Sequence, residues 1–158
     1  MLVALVGRPD DPDLLLFERS DRVLEHQGEI CFPGGSVEPD DGGVVEAALR
    51  EAHEELGIEQ QQVRVIGLLD DVKTHVSNYI ITPVVGHLPE EPALVPDALE
   101  VSRVVRVSLR RLLEPGIETT GPSDFAGVQR LRYAYSFDGN VVWGATARIL
   151  HSLLEILR

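Results

Sequence analysis

Three glutamates, Glu51, Glu54 and Glu55, lie at positions that share one face of a predicted helix. At about 100° per residue, they fall within an arc of roughly 100°, because residues three and four apart are neighbours on a helix surface. Carboxylates that close repel one another, so a cation must offset their charge. Mg²⁺ prefers carboxylate, water and phosphate oxygens, and the spacing therefore predicts a divalent metal site. The alternative is an exposed Glu-rich helix face, since Glu is a good helix former.

The residues on either side of the cluster favour the metal site. Gly57 stands where a glycine in the left-handed conformation would end the helix. Upstream, the apolar segment 30–32 runs into the turn sequence Pro33-Gly34-Gly35. Arg50 precedes Glu54 by four residues, so its guanidinium can fix that carboxylate by a charge-assisted hydrogen bond.

The elements that must position these groups alternate between strands and helices. The apolar stripe of the helix predicted over 44–56 comprises Val45, Ala48, Leu49, Ala52 and Leu56. Its acids lie opposite. We predict further strands at 1–7, 13–18, up to residue 32, 63–69, 79–86, 101–107, 131–137 and 140–143, helices at 109–113 and 145–157, and a loop at 89–96. This interleaving favours an α/β/α sandwich with a central mixed sheet, in one domain over residues 1–158.

With these residues in place, the chain resembles the Nudix hydrolases, whose pattern reads G-x5-E-x7-R-E-U-x-E-E-x-G-U, with U a bulky aliphatic residue. The matching residues are Gly35, Arg50, Glu51, Glu54, Glu55, Gly57 and Ile58. Ala52 is smaller than the pattern expects. Fourteen residues separate Gly35 from Arg50, one more than the pattern has. The first Glu of the pattern therefore has no counterpart in register, and Asp41 stands nearest to it.

The resemblance implies a hydrolase of phosphoanhydrides, with Mg²⁺ or Mn²⁺ held by Glu51, Glu54 and Glu55 and with Arg50 in the catalytic set. Such a reaction brings water to phosphorus in line while charge on the phosphate oxygens is neutralised. The family usually recruits a further carboxylate from a loop after this motif, and Glu100 resembles that position. The alternative for Glu100 is a solvated residue before a strand. Which carboxylate deprotonates the water stays open.

A second pattern, L-L-T-x-R-[S/A]-x3-R-x3-G-x3-F-P-G-G, is similar to the coenzyme A pyrophosphatase subgroup of this family. The residues that fit it are Leu15, Leu16, Arg19, Ser20, Gly28, Phe32, Pro33, Gly34 and Gly35. Phe17 replaces the Thr, and Leu24 replaces the second Arg, with Arg22 two residues away. The resemblance implies cleavage of coenzyme A or a derivative into 3′,5′-ADP and a phosphopantetheine. Arg19, Phe32, Gly34 and Gly35 would bind this substrate, with Arg19 as the cation for its 3′-phosphate.

Two alternatives stay open. Because Leu24 replaces the second Arg of the upstream pattern, the substrate could instead be another nucleoside diphosphate derivative, namely ADP-ribose, NADH, a nucleotide sugar or a dinucleoside polyphosphate. A non-catalytic binding module with the same fold is less favoured, because such a module would be expected to lose its acids and all three remain here.

Composition limits the partners further. The formal net charge of −12 argues against nucleic acid, so a small diphosphate substrate would meet only local positive charge. No apolar run of about 18 residues exists, which argues against membrane insertion. The single cysteine, Cys31, fits a reducing cytoplasm. The sequence has no H-E-x-x-H, G-x-S-x-G or Walker motif. The chain is expected to be a monomer or a homodimer.

Overall fold

A mixed β-sheet with one long helix on each face dominates the computed structural model, which describes residues 1–24, 26–74, 79–125 and 128–158, without the side chains of 123–130. The strands and helices follow in chain order. They are β1 Leu2–Val6, β2 Asp13–Arg19, β3 Ile30–Cys31, α1 Val44–Leu56, a 3₁₀ turn Gln60–Gln62, β4 Arg64–Leu68, β5 Val72–Lys73, β6 Ile80–Ile81, β7 Val84–Leu88, β8 Val101–Ser108, α2 Leu109–Leu112, β9 Glu118–Phe125, β10 Val128–Phe137, β11 Asn140–Val142 and α3 Gly144–Leu157.

The main sheet mixes parallel and antiparallel pairs. Strand β2 pairs antiparallel with β1, β3 and β8, while β1 runs parallel to β7 and β7 pairs antiparallel with β4. Strands β9, β10 and β11 form a separate antiparallel sheet, and β5 pairs with β6. The predicted mixed central sheet is confirmed.

Successive side chains of a strand point to opposite faces of the sheet, and this alternation builds two cores, one on each face. In β1, Leu2, Ala4 and Val6 pack with the apolar residues of α1, whereas Val3 and Leu5 pack with those of α3. This follows from the period of two in a strand, which sends successive side chains to opposite faces. The sandwich of helix, sheet and helix is therefore confirmed. None of the helices in the described ranges is long and apolar enough to cross a membrane.

Helix α1 begins and ends where the sequence predicts. It ends at Gly57, whose φ of 71° lies in the left-handed region and whose N–H donates to the carbonyl of His53 at 2.8 Å. Glycine reaches this conformation at little cost, so the helix stops directly after the acidic cluster. The acids consequently lie at the C-terminal end of α1.

Two of the differences between the predicted and the observed strands have a clear physical reason. The segment predicted as one strand over 79–86 is divided into β6 and β7, because Thr82 and Pro83 intervene and proline cannot donate a ladder hydrogen bond. Strand β9 was not predicted, since Gly121 and Pro122 are typical of turns. Within the described ranges, strand β9 lies at the edge of its sheet and pairs with β10 alone. An edge strand tolerates proline, which explains the difference.

Candidate active site

Glu55 is the buried acid of the cluster, with only 3% of its surface exposed. Its Oε2 accepts a hydrogen bond of 2.8 Å from the N–H of Gly34, in the loop that follows β3. Burial, with a smaller contribution from the charges of Glu51 and Glu100, raises the pKa of Glu55 to about 8, although Gly34 and Arg19 act in the opposite direction. The sequence did not predict this burial, because glutamate is normally exposed.

Glu51 lies against the same loop. A Cβ atom on Gly35 would come within 2.2 Å of Glu51 Oε1, so only glycine leaves room for the carboxylate in this position. Burial raises the pKa of Glu51, and the negative charges of Glu54 and Glu100 add to the effect. Glu100 therefore lies close enough to influence both Glu51 and Glu55. The structure brings this predicted acid into the cluster, although it is distant in sequence.

Arg50 holds the cluster from the outside, and all five of its side-chain N–H groups are used. Its Nε and one terminal nitrogen each donate to Asp41 at 3.0 Å, while the other terminal nitrogen donates to Glu51 at 3.0 Å and to Glu54 at 3.1 Å. The fifth donates to the carbonyl of Ser36. These hydrogen bonds lower the pKa of Asp41. The predicted contact between Arg50 and Glu54 is present; the contact with Asp41 was missed because only the folded loop brings it there.

The remaining predicted residues fall into different environments. Phe32 was predicted to bind substrate, but it is 1% exposed and packs in the core on the α3 side. It therefore anchors the loop that follows β3 to the core. This burial corrects the prediction of a direct contact. Gly34 and Gly35 touch the acids, as described above, and Arg19 influences Glu55 through its charge. Leu24, which replaces an arginine of the upstream pattern, is fully exposed.

The donor chemistry fits a hard divalent cation. Among the described residues, no three acidic, histidine or cysteine side chains already converge on one point, because Arg50 holds Glu51 and Glu54 while Glu55 turns toward Gly34. Burial among like charges nevertheless raises the pKa of Glu55, so the protein itself gives the ionised carboxylate too little compensating positive charge. Carboxylate oxygens in that state are suitable ligands for Mg²⁺ or Mn²⁺.

Comparison with known proteins assigns the family. The sequence matches the model of the NUDIX domain over residues 2–123. The chain belongs to the Nudix family. It is 34% identical to the Nudix hydrolase NudL of Photorhabdus laumondii over 155 residues, which cover 98% of the chain and 82% of that relative. NudL of Yersinia enterocolitica is 33% identical over 155 residues, or 98% of the chain and 78% of the relative.

Solved structures of other proteins share the fold. A MutT/nudix family protein from Enterococcus faecalis superposes with a TM-score of 0.64 at 17% identity, over 99% of this chain and 60% of that one. An Ap4A hydrolase from C. elegans gives 0.58 at 19% identity, over 70% of this chain and 79% of that one. The chain is accordingly a Nudix hydrolase, of a pyrophosphatase family that acts on nucleoside diphosphate derivatives. We call residues 35–58 its Nudix box.

The raised pKa of Glu55 predicts how the stability of the metal-free protein depends on pH. A carboxyl that binds its proton more tightly when folded stabilises the protein fully below its ordinary pKa of 4.5, and this contribution is lost as the pH rises through about 8. In EDTA, the melting temperature of the wild type should therefore fall relative to that of Glu55→Gln between these values. If the melting temperatures of the two proteins changed with pH in the same way, the result would contradict the buried state of Glu55.

The close approach at Gly35 predicts a selective loss of activity. Gly35→Ala should displace the Glu51 carboxylate, which is the flexible end of a side chain, and leave the backbone in place. We expect kcat to fall about tenfold, as for other groups that orient metal ligands, with little change in melting temperature. Gly67→Ala is the matched control, because nothing lies within 4 Å of its added Cβ. Equal kcat values for the two variants would argue against the role of this contact.

Proposed function

We propose that this Nudix hydrolase cleaves the diphosphate bond of coenzyme A or a derivative, giving 3′,5′-ADP and a phosphopantetheine. The carrying observation is the position of the upstream pattern beside the Nudix box. That pattern ends in the loop whose Gly34 donates to Glu55 and whose Gly35 adjoins Glu51. Its Arg19 acts on the same Glu55 carboxylate. A pattern resembling the coenzyme A subgroup thus lies against the acids of the site.

Each acid has a separate proposed role in the reaction. Glu51, Glu54 and Glu55 would hold Mg²⁺ or Mn²⁺, which supplies positive charge for the phosphate oxygens when bound. The charge of Glu100 acts on Glu51 and Glu55, and Glu100 is our candidate to position or deprotonate the attacking water. Arg50 fixes the orientation of Glu51 and Glu54 and has no N–H left for the substrate.

We also propose the domain organisation, the compartment and the partners of the protein. A single domain over residues 1–158 would carry the reaction, as a monomer or homodimer in the cytoplasm, without nucleic acid or membrane as a partner. The net charge of −12 supports the exclusion of nucleic acid. The nearest alternative substrate is another nucleoside diphosphate derivative. This alternative stays open because position 24, where the upstream pattern has an arginine, carries the fully exposed Leu24 and offers no cation.

A comparison of substrates tests the proposal. The purified protein is assayed with Mg²⁺ on coenzyme A, ADP-ribose, NADH, a nucleotide sugar and a dinucleoside polyphosphate, and kcat/KM is measured for each. We expect the highest value for coenzyme A. A higher value for ADP-ribose or a dinucleoside polyphosphate would overturn the coenzyme A proposal and leave the assignment as a Nudix hydrolase intact.

A further inference from the structure

Arg19 is held firmly by its backbone at the end of β2. Its N–H donates to the carbonyl of Glu29 at 2.9 Å, and its own carbonyl accepts from the N–H of Gly28 at 3.0 Å. The register between β2 and β8 shifts between Glu18 and Arg19. Leu15 and Phe17 pack on the α1 side of the sheet, and the alternation along β2 places Arg19 on the same side.

The guanidinium of Arg19 is close to two groups on that face. Its charge acts on the thiol of Cys31, whose pKa burial raises, and on the carboxylate of Glu55. The residue that follows it, Ser20, donates its N–H to the carbonyl of Glu100 at 2.8 Å. Arg19 therefore adjoins both the buried acid of the Nudix box and the strand end that carries Glu100.

One nitrogen of the Arg19 side chain nevertheless lacks a hydrogen-bond partner. Its Nε is buried, and within the described part of the chain no acceptor is in hydrogen-bonding position to it. Arg50, by contrast, donates all five side-chain N–H groups to protein oxygens. A partly buried cation is normally paired, since an unmade charged hydrogen bond is costly. An anion that arrives at the site would supply the missing acceptor.

We propose that Arg19 binds the diphosphate of the substrate, beside Glu55, and does not select the 3′-phosphate of coenzyme A. This inference rests on the proposed function only in taking the substrate to be a diphosphate. The box acids must lie around the diphosphate for hydrolysis, and Arg19 adjoins the most buried of them. A guanidinium can donate two parallel hydrogen bonds to phosphate oxygens, which suits this position. Arg19 thereby serves every diphosphate substrate equally.

Kinetics with substrates that differ in the 3′-phosphate test the assignment. We compare Arg19→Ala with wild type on coenzyme A, 3′-dephospho-coenzyme A and ADP-ribose, with Arg22→Ala as control because Arg22 is exposed in the following loop. The Arg19 change should lower kcat/KM about ten- to a hundredfold for every substrate that is cleaved, without changing their ratio. Arg19→Lys should recover part of the loss. A loss confined to coenzyme A, or no loss at all, would overturn the inference.

A binding measurement separates this inference from the substrate proposal. Calorimetric titration with inorganic imidodiphosphate in Mg²⁺ needs no hydrolysis and no coenzyme A. We expect Arg19→Gln, which keeps part of the aliphatic stem, to raise the Kd about tenfold or more while the melting temperature stays close to that of the wild type. Equal Kd values would refute the diphosphate contact. If ADP-ribose proved the best substrate but imidodiphosphate binding weakened as expected, the coenzyme A proposal would fail and this inference would stand.

Discussion

Glu55→Gln is expected to lower kcat on the order of a thousandfold while the protein stays folded. A divalent metal ion held by these acids would supply several kcal/mol of transition-state stabilisation, and the uncharged amide would hold it poorly. The fold should survive, because the glutamine carbonyl can still accept the hydrogen bond from the N–H of Gly34. Steady-state rates at saturating Mg²⁺ and a thermal melt measure the two effects separately.

Two further variants set the controls for this result. Glu54→Gln should also lower kcat strongly, although Glu54 is half exposed and its loss disturbs packing little. Glu46→Gln changes an exposed acid in the first turn of the same helix and should leave kcat near that of the wild type. Rates near wild type for both Glu54→Gln and Glu55→Gln would sink the assignment of these residues as metal ligands.

Arg50→Ala should lower kcat about a hundredfold or more and raise the Mg²⁺ concentration needed for half-maximal rate, with a modest change in KM. Arg50 reaches Asp41, Glu51 and Glu54 at once, so its removal frees the carboxylates that it orients. Groups that orient metal ligands commonly contribute ten- to a hundredfold, and here one side chain orients two of the proposed ligands. The measurement is a Mg²⁺ titration of the initial rate.

The companion variants separate charge from geometry. Arg50→Lys keeps the charge but cannot make the paired hydrogen bonds to Asp41, so it should remain defective. Asp41→Asn weakens one end of the same contact and should give a milder loss with the same rise in Mg²⁺ requirement. If Arg50→Ala instead raised only KM, Arg50 would contribute uniform substrate binding, and our account of its role would be wrong.

Local signals explain why much of the fold could be predicted. Helix α1 has an apolar stripe, and Gly57 ends it, so its bounds followed from residues within the helix itself. Strands β1 and β2 were likewise predicted from the apolar residues within each strand. Strand β9 could not be predicted in this way, because its pairing with β10 overrides the turn preference of Gly121 and Pro122.

The site likewise combines residues that local helix geometry predicts with contacts that only the folded loops create. Glu51, Glu54, Glu55 and Arg50 lie within six residues, so helix geometry alone predicted their shared surface. The pairing of Asp41 with Arg50 and the charge effect of Glu100 depend on loops whose folded positions no local pattern specifies. The burial of Glu55 arises from contact with the loop after β3, which brings Gly34 onto the helix.

Product analysis of coenzyme A after incubation with the purified protein tests the central claim most directly. Liquid chromatography with mass detection is applied in Mg²⁺, with EDTA and with Glu55→Gln as controls. The account predicts equal amounts of 3′,5′-ADP and a phosphopantetheine in Mg²⁺, and intact coenzyme A in both controls. Coenzyme A that stays intact in Mg²⁺, or products that form equally with Glu55→Gln, would contradict it.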